Sequence, residues 1–471
     1  MSTATAEPKA KPTRVEHLSV AERAAAGKAA RAEVPRSSHG DWEPAADRRD
    51  PIELLREQAE TRVPELVPIR HARMAVSAFT FYRGAAFIMA ADLCPVPNSG
   101  LEAQLCGDAH LSNFGVFGAP DRRLVFDLND FDETLPGPFE WDVKRLAASF
   151  AVAGRERACS DSERRFATRA AVREYREAMR AFAGMRDLDV WYSRFDVESY
   201  VDQSGAGKKR MKGYQKGMAK ARNKDSLRAL SRLSYQVDGE RRIIDDPPLI
   251  VPIEEVGAGE FEPVVRQLMA SYHRSLAPDR RELASRYRYT HAAHKVVGVG
   301  SVGARAWIVL FLGRDSNDPL FLQAKEAQHS VLEPYAGKSA FAHQGRRVVE
   351  GQRLMQAASD IFLGWVRGEG LDGRQRDYYV RQLWDGKASL EVEAMGPAAL
   401  ARYGEVCGWT LARAHARSGD RVAIAAYLGG GTAFDDAVAD FAETYADQNE
   451  RDYESLMEEV RAGRLEVRED V

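Results

Sequence analysis

Between residues 140 and 190, Ala, Leu and Phe recur every three or four positions, the period that keeps one face of an α-helix apolar. After about Leu283 the pattern changes. Lys295 to Leu312 and Leu320 to Ala324 are β-branched and aromatic, and an Asp-Ser-Asn-Asp-Pro turn separates them, which predicts strands. Helical spacing returns from Gly345 to Trp365. Strand character returns at Tyr378 to Trp384 and around Leu390 to Val392, and helices close the chain from about Ala398. Nearer the start, Asp50 and Pro51 open a helix, the first by capping and the second by occupying the first helical position; Pro64 and Pro68 break it. An Ala-rich helix is predicted from about Ala85 to Leu93. Two short strands, Phe114–Phe117 and Leu124–Phe126, flank a Gly-Ala-Pro-Asp turn. Residues 1 to about 50 are small, charged and Pro-bearing, and read as disordered or extended.

At 471 residues the chain is too long for one ordinary core. The pattern divides it into an N-terminal segment (1–50), a helical part (51–285), a β-rich part (286–395) and closing helices (396–471), an α+β organisation. The net charge of -3 exerts no global pull toward nucleic acid or membrane, so neither is an expected partner. Cys94, Cys106, Cys159 and Cys407 form no C-x-x-C pair and no zinc spacing. Met1 to Arg14 lacks a signal peptide's apolar region, and no run approaches the roughly 18 apolar residues of a membrane span. A cytoplasmic protein is expected. Lys208 to Arg232 is strongly basic; the default is a solvated helical face, the alternative a clamp for phosphates or an acidic partner.

The densest chemistry lies in Gly107-Asp108-Ala109-His110-Leu111-Ser112-Asn113 and in Val125-Phe126-Asp127-Leu128-Asn129-Asp130-Phe131-Asp132. Phosphoryl transfer needs a carboxylate that orients or deprotonates the acceptor, and further oxygen ligands for magnesium. Asp108 supplies the first. Asn113 with Asp127, Asp130 or Asp132 supplies the others; spacing favours Asp127, and Asn129-Asp130-Phe131-Asp132 makes the other two close rivals. Unless a cation holds them, three carboxylates in this short a run repel one another when buried. Asp142 is a candidate brace for the Asp108 loop, the alternative being a surface salt bridge with Lys144 or Arg145, and His110 reads as structural. His39-Gly40-Asp41 is a decoy, since Ala46 stands where Asn is required.

Gly298-Val299-Gly300-Ser301-Val302-Gly303 is a G-x-G-x-x-G followed by a strand, Ala306 to Leu312. A dinucleotide-binding turn must open a helix, so these glycines describe instead a phosphate-covering hairpin. Gly298, Gly300, Ser301 and Gly303 are therefore candidate nucleotide contacts. Lys325 ends the next apolar strand, where it is placed to meet phosphates. Glu350 is the best-placed carboxylate to hold it, with Glu333 as rival.

Gly107-Asp108-x-His110-x-x-Asn113 resembles the H-G-D-x-H-x-x-N loop of aminoglycoside and choline phosphotransferases, with Cys106 in place of the first His. Trp409 to Ala416 resembles the helix that precedes that loop. The chain from Arg70 through Ser149, and beyond it most residues after 30, resembles a bacterial family, domain of unknown function 2252. The matching segments include Phe81-Tyr82-Arg83-Gly84 and Gly137 to Leu146. The resemblance implies a bilobal, protein-kinase-like fold with extra helices, circularly permuted because the Asp108 loop precedes the glycine turn. It also implies ATP and Mg2+ as cofactors. The expected activity is phosphoryl transfer to an unidentified small molecule or protein. The alternatives are a nucleotide-binding regulatory pseudokinase and AMP transfer in the same pocket. The basic 208–232 segment argues for an anionic acceptor.

Overall fold

The computed structural model describes residues 17–203, 208–223, 225–256, 261–296, 302–370, 373–383, 386 and 392–468, and shows a mixed α+β protein. In chain order the strands are β1 (Glu102–Leu105), β2 (Phe114–Gly118), β3 (Leu124–Leu128), β4 (Leu135–Pro138) and β5 (Phe195–Asp196). They continue with β6 (Ser234–Val237), β7 (Glu240–Ile243), β8 (Ile250–Pro252), β9 (Arg288–Lys295), β10 (Ala306–Leu312), β11 (Pro319–Glu326), β12 (Gly364–Glu369) and β13 (Gln375–Gln382).

Six of them form one antiparallel sheet in the order β12-β13-β11-β10-β9-β8. Alternation along β10 explains its two faces. Ile308 and Leu310 pack with Leu230, Leu233 and Ile243, whereas Trp307, Val309 and Phe311 pack with Tyr272, Leu276 and Val380. The edge strand β12 lies so close to the helix Phe261–Arg274 that a Cβ on Gly364 would come within 2.8 Å of the Tyr272 ring. Burial of these clusters supplies the sheet's stability, at roughly 25 cal/mol per Å² of apolar area removed from water.

The larger core is helical. Helices Phe139–Glu156, Asp161–Ala183, Pro397–Ser418 and Ala433–Arg461 share one apolar cluster, and β1 to β4 are embedded in it through Leu105, Phe114, Phe126, Leu128 and Leu135. Small residues let the helices approach: a Cβ on Gly408 would meet the Ala171 carbonyl at 2.1 Å. The hairpin bearing the densest chemistry therefore sits on a rigid helical base, facing the six-stranded sheet.

Two sequence expectations are corrected. Val20–Glu33 is a helix, set by a capping box of Ser19 and Glu22, and Gly27 packs directly on the Ala423 carbonyl. Of the segment read as disordered or extended, residues 17–50 are thus ordered, and His39 is buried against Tyr427 at 2.6 Å; residues 1–16 lie outside the described part. The helix read as Gly345 to Trp365 stops at Met355, because Gln356 turns extended and the Asp360 carboxylate caps a turn by accepting the Phe362 N–H at 2.8 Å. Trp365 belongs to β12. The expected strand around Leu390 falls outside the described residues, except for Val392, which opens a 3-10 turn.

The end of the described chain returns to its early part. Leu465 joins Ile52, Leu54 and Leu55, His71 Nδ1 donates to the Glu466 carbonyl at 3.1 Å, and the Arg468 N–H donates to Pro68 at 3.1 Å. Among the described residues, no helix is long and apolar enough to cross a membrane.

Candidate functional site

Gly107 turns the chain out of β1 with φ at +82°, and a Cβ there would lie 2.4 Å from the Glu133 carbonyl oxygen. Only glycine meets both demands. The turn is held by Asp142, in the first turn of the helix Phe139–Glu156. Its two oxygens accept the N–H groups of Cys106 at 2.8 Å and Gly107 at 3.1 Å. His415 Nε2 stands 3.3 Å from the same carboxylate, and Tyr175 Oη meets His415 Nδ1 at 2.9 Å. The helix Pro397–Ser418 thus buttresses the loop that presents Asp108.

Asp108 receives two hydrogen bonds on Oδ1 from Arg145, at 2.9 and 2.8 Å. Arg145 is itself fixed, lying over the Tyr82 ring and donating to the Tyr82 carbonyl. Burial pushes the Asp108 carboxyl up to about 6, against the pull of Arg145. Such a group becomes a base near neutral pH. His110 Nδ1 accepts the Ser112 N–H at 3.2 Å, and burial holds its pKa well below the ordinary value. A neutral ring capping a turn matches the structural reading. Asn113 donates its amide N–H to the Asp108 carbonyl at 2.8 Å; its amide oxygen takes no hydrogen bond among the described residues.

The acidic run divides. Asp127 is fully buried and turned away from the other candidates: Arg413 donates to Oδ1, as does the Leu128 N–H, while the Ala357 N–H donates to Oδ2 at 2.8 Å. Its first-choice placement as a metal ligand does not match this geometry, because strand alternation carries it to the Arg413 side of the hairpin. Asp130 and Asp132 instead line a cavity of about 1190 Å3 together with Asp108, His110 and Asn113.

Lys325, buried at the end of β11, forms an ion pair with Asp132 Oδ2, and the Tyr379 hydroxyl donates to Oδ1 at 2.8 Å. Burial opposes the charge on both groups. Even so, the pair keeps the lysine pKa above and the Asp132 pKa below their ordinary values. Glu350 does not hold Lys325. It faces outward and pairs with Arg346 one turn away at 3.5 Å, because the helix Gln344–Met355 buries Gln344, Arg347, Val348, Gly351, Gln352 and Met355 instead. Glu333, the rival, is paired with His329 at 2.9 Å. Gly298, Gly300 and Ser301 lie outside the described residues. Gly303 is described: its carbonyl accepts the Val63 N–H at 2.8 Å, and Arg62 donates to the Val302 carbonyl.

Sequence reasoning missed Tyr379, Glu133, Arg83 and the attachment of Arg145 to Asp108. Glu133 also lines the cavity; burial pushes its carboxyl up to about 7. The available signal was charge inside apolar helices, as in Asp142-Val143-Lys144-Arg145-Leu146.

Among the described residues no three His, Cys, Asp or Glu side chains group as a metal cage. Magnesium does not require one, since it is held through one or two carboxylates with phosphate oxygens and water. Asp130 and the free amide oxygen of Asn113 fit that demand. Asp132 fits it as well where Lys325 turns to a phosphate.

A family described as uncharacterised proteins conserved in bacteria, domain of unknown function 2252, matches residues 62–459. The chain belongs to that family. No curated protein matches it, and no solved structure does. In this member of domain of unknown function 2252, Asp108, Asn113, Asp130, Asp132 and Lys325 all lie within the matched span, whereas the cavity residues Glu57, Gln58, Glu60 and Thr61 precede it.

Proposed function

We propose that this protein is an ATP- and magnesium-dependent phosphotransferase built on a bilobal, circularly permuted kinase-like plan. The observation that carries the reading is the Lys325–Asp132 ion pair beside a cavity that Asp108, Asn113 and Asp130 share. A β-strand lysine meeting the acidic turn after the Asp–Asn loop is the arrangement that phosphoryl transfer uses. The lobe order also supports it. The helix Pro397–Ser418 reaches the Asp108 loop through His415 and Asp142, and the Leu465–Arg468 segment lies against Pro68–His71, so moving the chain ends strains nothing.

In this reading Asp108 orients the acceptor hydroxyl and takes its proton. The acceptor oxygen bonds to the γ-phosphorus as the bond to the β-phosphate bridge breaks, and ADP leaves with the electron pair. Lys325 releases Asp132 to meet phosphate oxygens. Asn113 and Asp130 would hold magnesium, which would neutralise charge at the phosphates. AMP transfer and a purely regulatory use of the pocket are the competing uses of the same residues.

Thermal unfolding of the wild type and Lys325→Ala with ATP, with and without magnesium, tests this. Ligand at a hundredfold over its Kd stabilises by about 2.7 kcal/mol, which shifts the midpoint by a few degrees. A magnesium-dependent shift in the wild type, lost in the variant, is expected; no shift at saturating nucleotide overturns the reading.

A further inference from the structure

One wall of the cavity is built from the N-terminal helices, and the last turn of the helix Ala78–Gly84 brings Arg83 into it. The other arginines of the cavity are committed. Arg305 and Arg376 pair with Glu326 at 3.2 and 3.4 Å, Arg367 pairs with Asp377 at 2.6 Å, Arg62 donates to the Val302 carbonyl, and Arg374 also has a partner. Arg83 differs. Among the described residues it makes no hydrogen bond and no ion pair; its Nε, like that of Arg62, is buried without a partner, but Arg62 keeps its bond to the Val302 carbonyl. The carboxylates whose charge it feels are Asp108 and Glu393, and Oδ1 of Asp108 is already taken by Arg145.

Holding a guanidinium half-buried without partners is unfavourable, and buried polar groups are as a rule satisfied. Arg83 also presents a planar fork of donors suited to phosphate and carboxylate. We propose that Arg83 receives an oxyanionic group of the acceptor, so that the substrate is a small hydroxyl compound carrying a phosphate or a carboxylate. The assignment rests on the phosphotransferase reading, with the acceptor hydroxyl at Asp108 and its acid group at Arg83. A cationic acceptor would instead meet Arg83 and Arg145 beside the base.

The test titrates the full chain, preloaded with magnesium and a non-hydrolysable ATP analogue, with four probes by calorimetry. They are glycerol 3-phosphate, glycerate, glycerol and 3-amino-1,2-propanediol. One or both anions are expected to bind, the neutral and cationic probes are not, and the preferred anion tells phosphate from carboxylate. Arg83→Ala is expected to weaken anion binding roughly ten- to a hundredfold, the range of a charge-assisted hydrogen bond. Arg83→Lys recovers part of that, and both variants bind the analogue like the wild type. Binding of none of the probes, binding indifferent to charge, or Arg83→Ala binding anions normally overturns the assignment and leaves the phosphotransferase reading standing. Loss of analogue binding in Arg83→Ala also overturns it, by giving the arginine to the nucleotide. If the wild type does not bind the analogue, the phosphotransferase reading fails and the assignment falls with it.

Discussion

Lys325 Nζ rests on a carboxylate oxygen of Asp132, 193 residues earlier in the chain, with the Tyr379 hydroxyl on the other oxygen. The pair links the sheet to the acidic turn of the helical base. Lys325 is 4% exposed and Asp132 25%, so the lysine suffers most if its partner is removed. Asp132→Asn, which strips the more deeply buried Lys325 of its carboxylate, is expected to lower stability by roughly 3–5 kcal/mol, and Lys325→Met by roughly 1–3 kcal/mol, because each leaves one desolvated partner behind. The double variant is expected to lose less than the sum, with a coupling of at least about 1 kcal/mol. Urea unfolding of the four proteins measures this, and additive losses would show that the two side chains do not interact.

The acidic run makes a sharper distinction. Among the described residues, Asp127 is the carboxylate that pairs with Arg413, which is 1% exposed, whereas Asp130 Oδ1 accepts the Asp132 N–H at 3.2 Å. Asp127→Asn leaves a buried guanidinium uncompensated and is expected to cost roughly 3–5 kcal/mol. Asp130→Asn is expected to stay within about 1 kcal/mol of the wild type and, on the proposed phosphotransferase reading, to lose the magnesium-dependent response to ATP. A stable Asp127→Asn that lacks the response, beside an Asp130→Asn that keeps it, would make Asp127 the metal-holding candidate of that reading.

These two aspartates show what was legible in the sequence. The hairpin keeps local motifs together, so Asp108, Asn113, Asp130 and Asp132, singled out by their spacing along the chain, line one cavity. Which acid faces the cavity depends on strand alternation and on a partner, Arg413, that is 286 residues away. Glu350 failed for the same kind of reason. Helical spacing located its helix, but the buried face was set by Thr134 pressing on Gly351 and by Arg347 reaching the Asp132 carbonyl. Secondary structure was read well where periodicity was long, as in β10, β11 and the helix Pro397–Ser418. It was misread at Val20–Glu33, whose small, charged composition hides a helix stabilised by contact with Ala423.

Glu133 leads to a pH prediction. Burial raises its carboxyl from 4.5 to about 7, against Arg347 and the Val331 N–H. The folded state therefore binds this proton more tightly than the unfolded chain does. Its stabilising contribution is complete below about pH 4.5 and is lost as the pH rises through about 7. Gln at this position keeps an oxygen for the Val331 N–H and carries no charge. Glu133→Gln is expected to be more stable than the wild type at pH 8, by on the order of 1–3 kcal/mol, and to flatten the stability profile between pH 5 and 8. Asp108, whose carboxyl is raised to about 6, contributes to the slope that remains, together with Asp92, Asp127, Glu140 and Asp435, whose carboxyls burial also raises. Equal slopes in the two proteins would remove Glu133 as the titrating group.

Gly107 offers the most direct test of how the loop is built. Alanine there meets two separate penalties: the left-handed backbone at φ +82° and a Cβ 2.4 Å from the Glu133 carbonyl. The first costs roughly 1 kcal/mol or more, and the second forces either the β1 turn or the Glu133 segment to move. Since Asp142 holds the Cys106 and Gly107 N–H groups, a shifted turn also displaces Asp108 from its place beside Arg145. Gly107→Ala is therefore expected to lower stability by roughly 2–4 kcal/mol. On the proposed phosphotransferase reading, transfer should fall far more than nucleotide binding, because Lys325 and Asp130 lie outside the turn. A second variant, Asp142→Asn, separates the causes. It relaxes the brace without adding a Cβ, so a comparable loss of transfer with a smaller loss of stability assigns the effect to the placement of Asp108. Wild-type transfer in Asp142→Asn would mean that the turn holds its shape without the carboxylate.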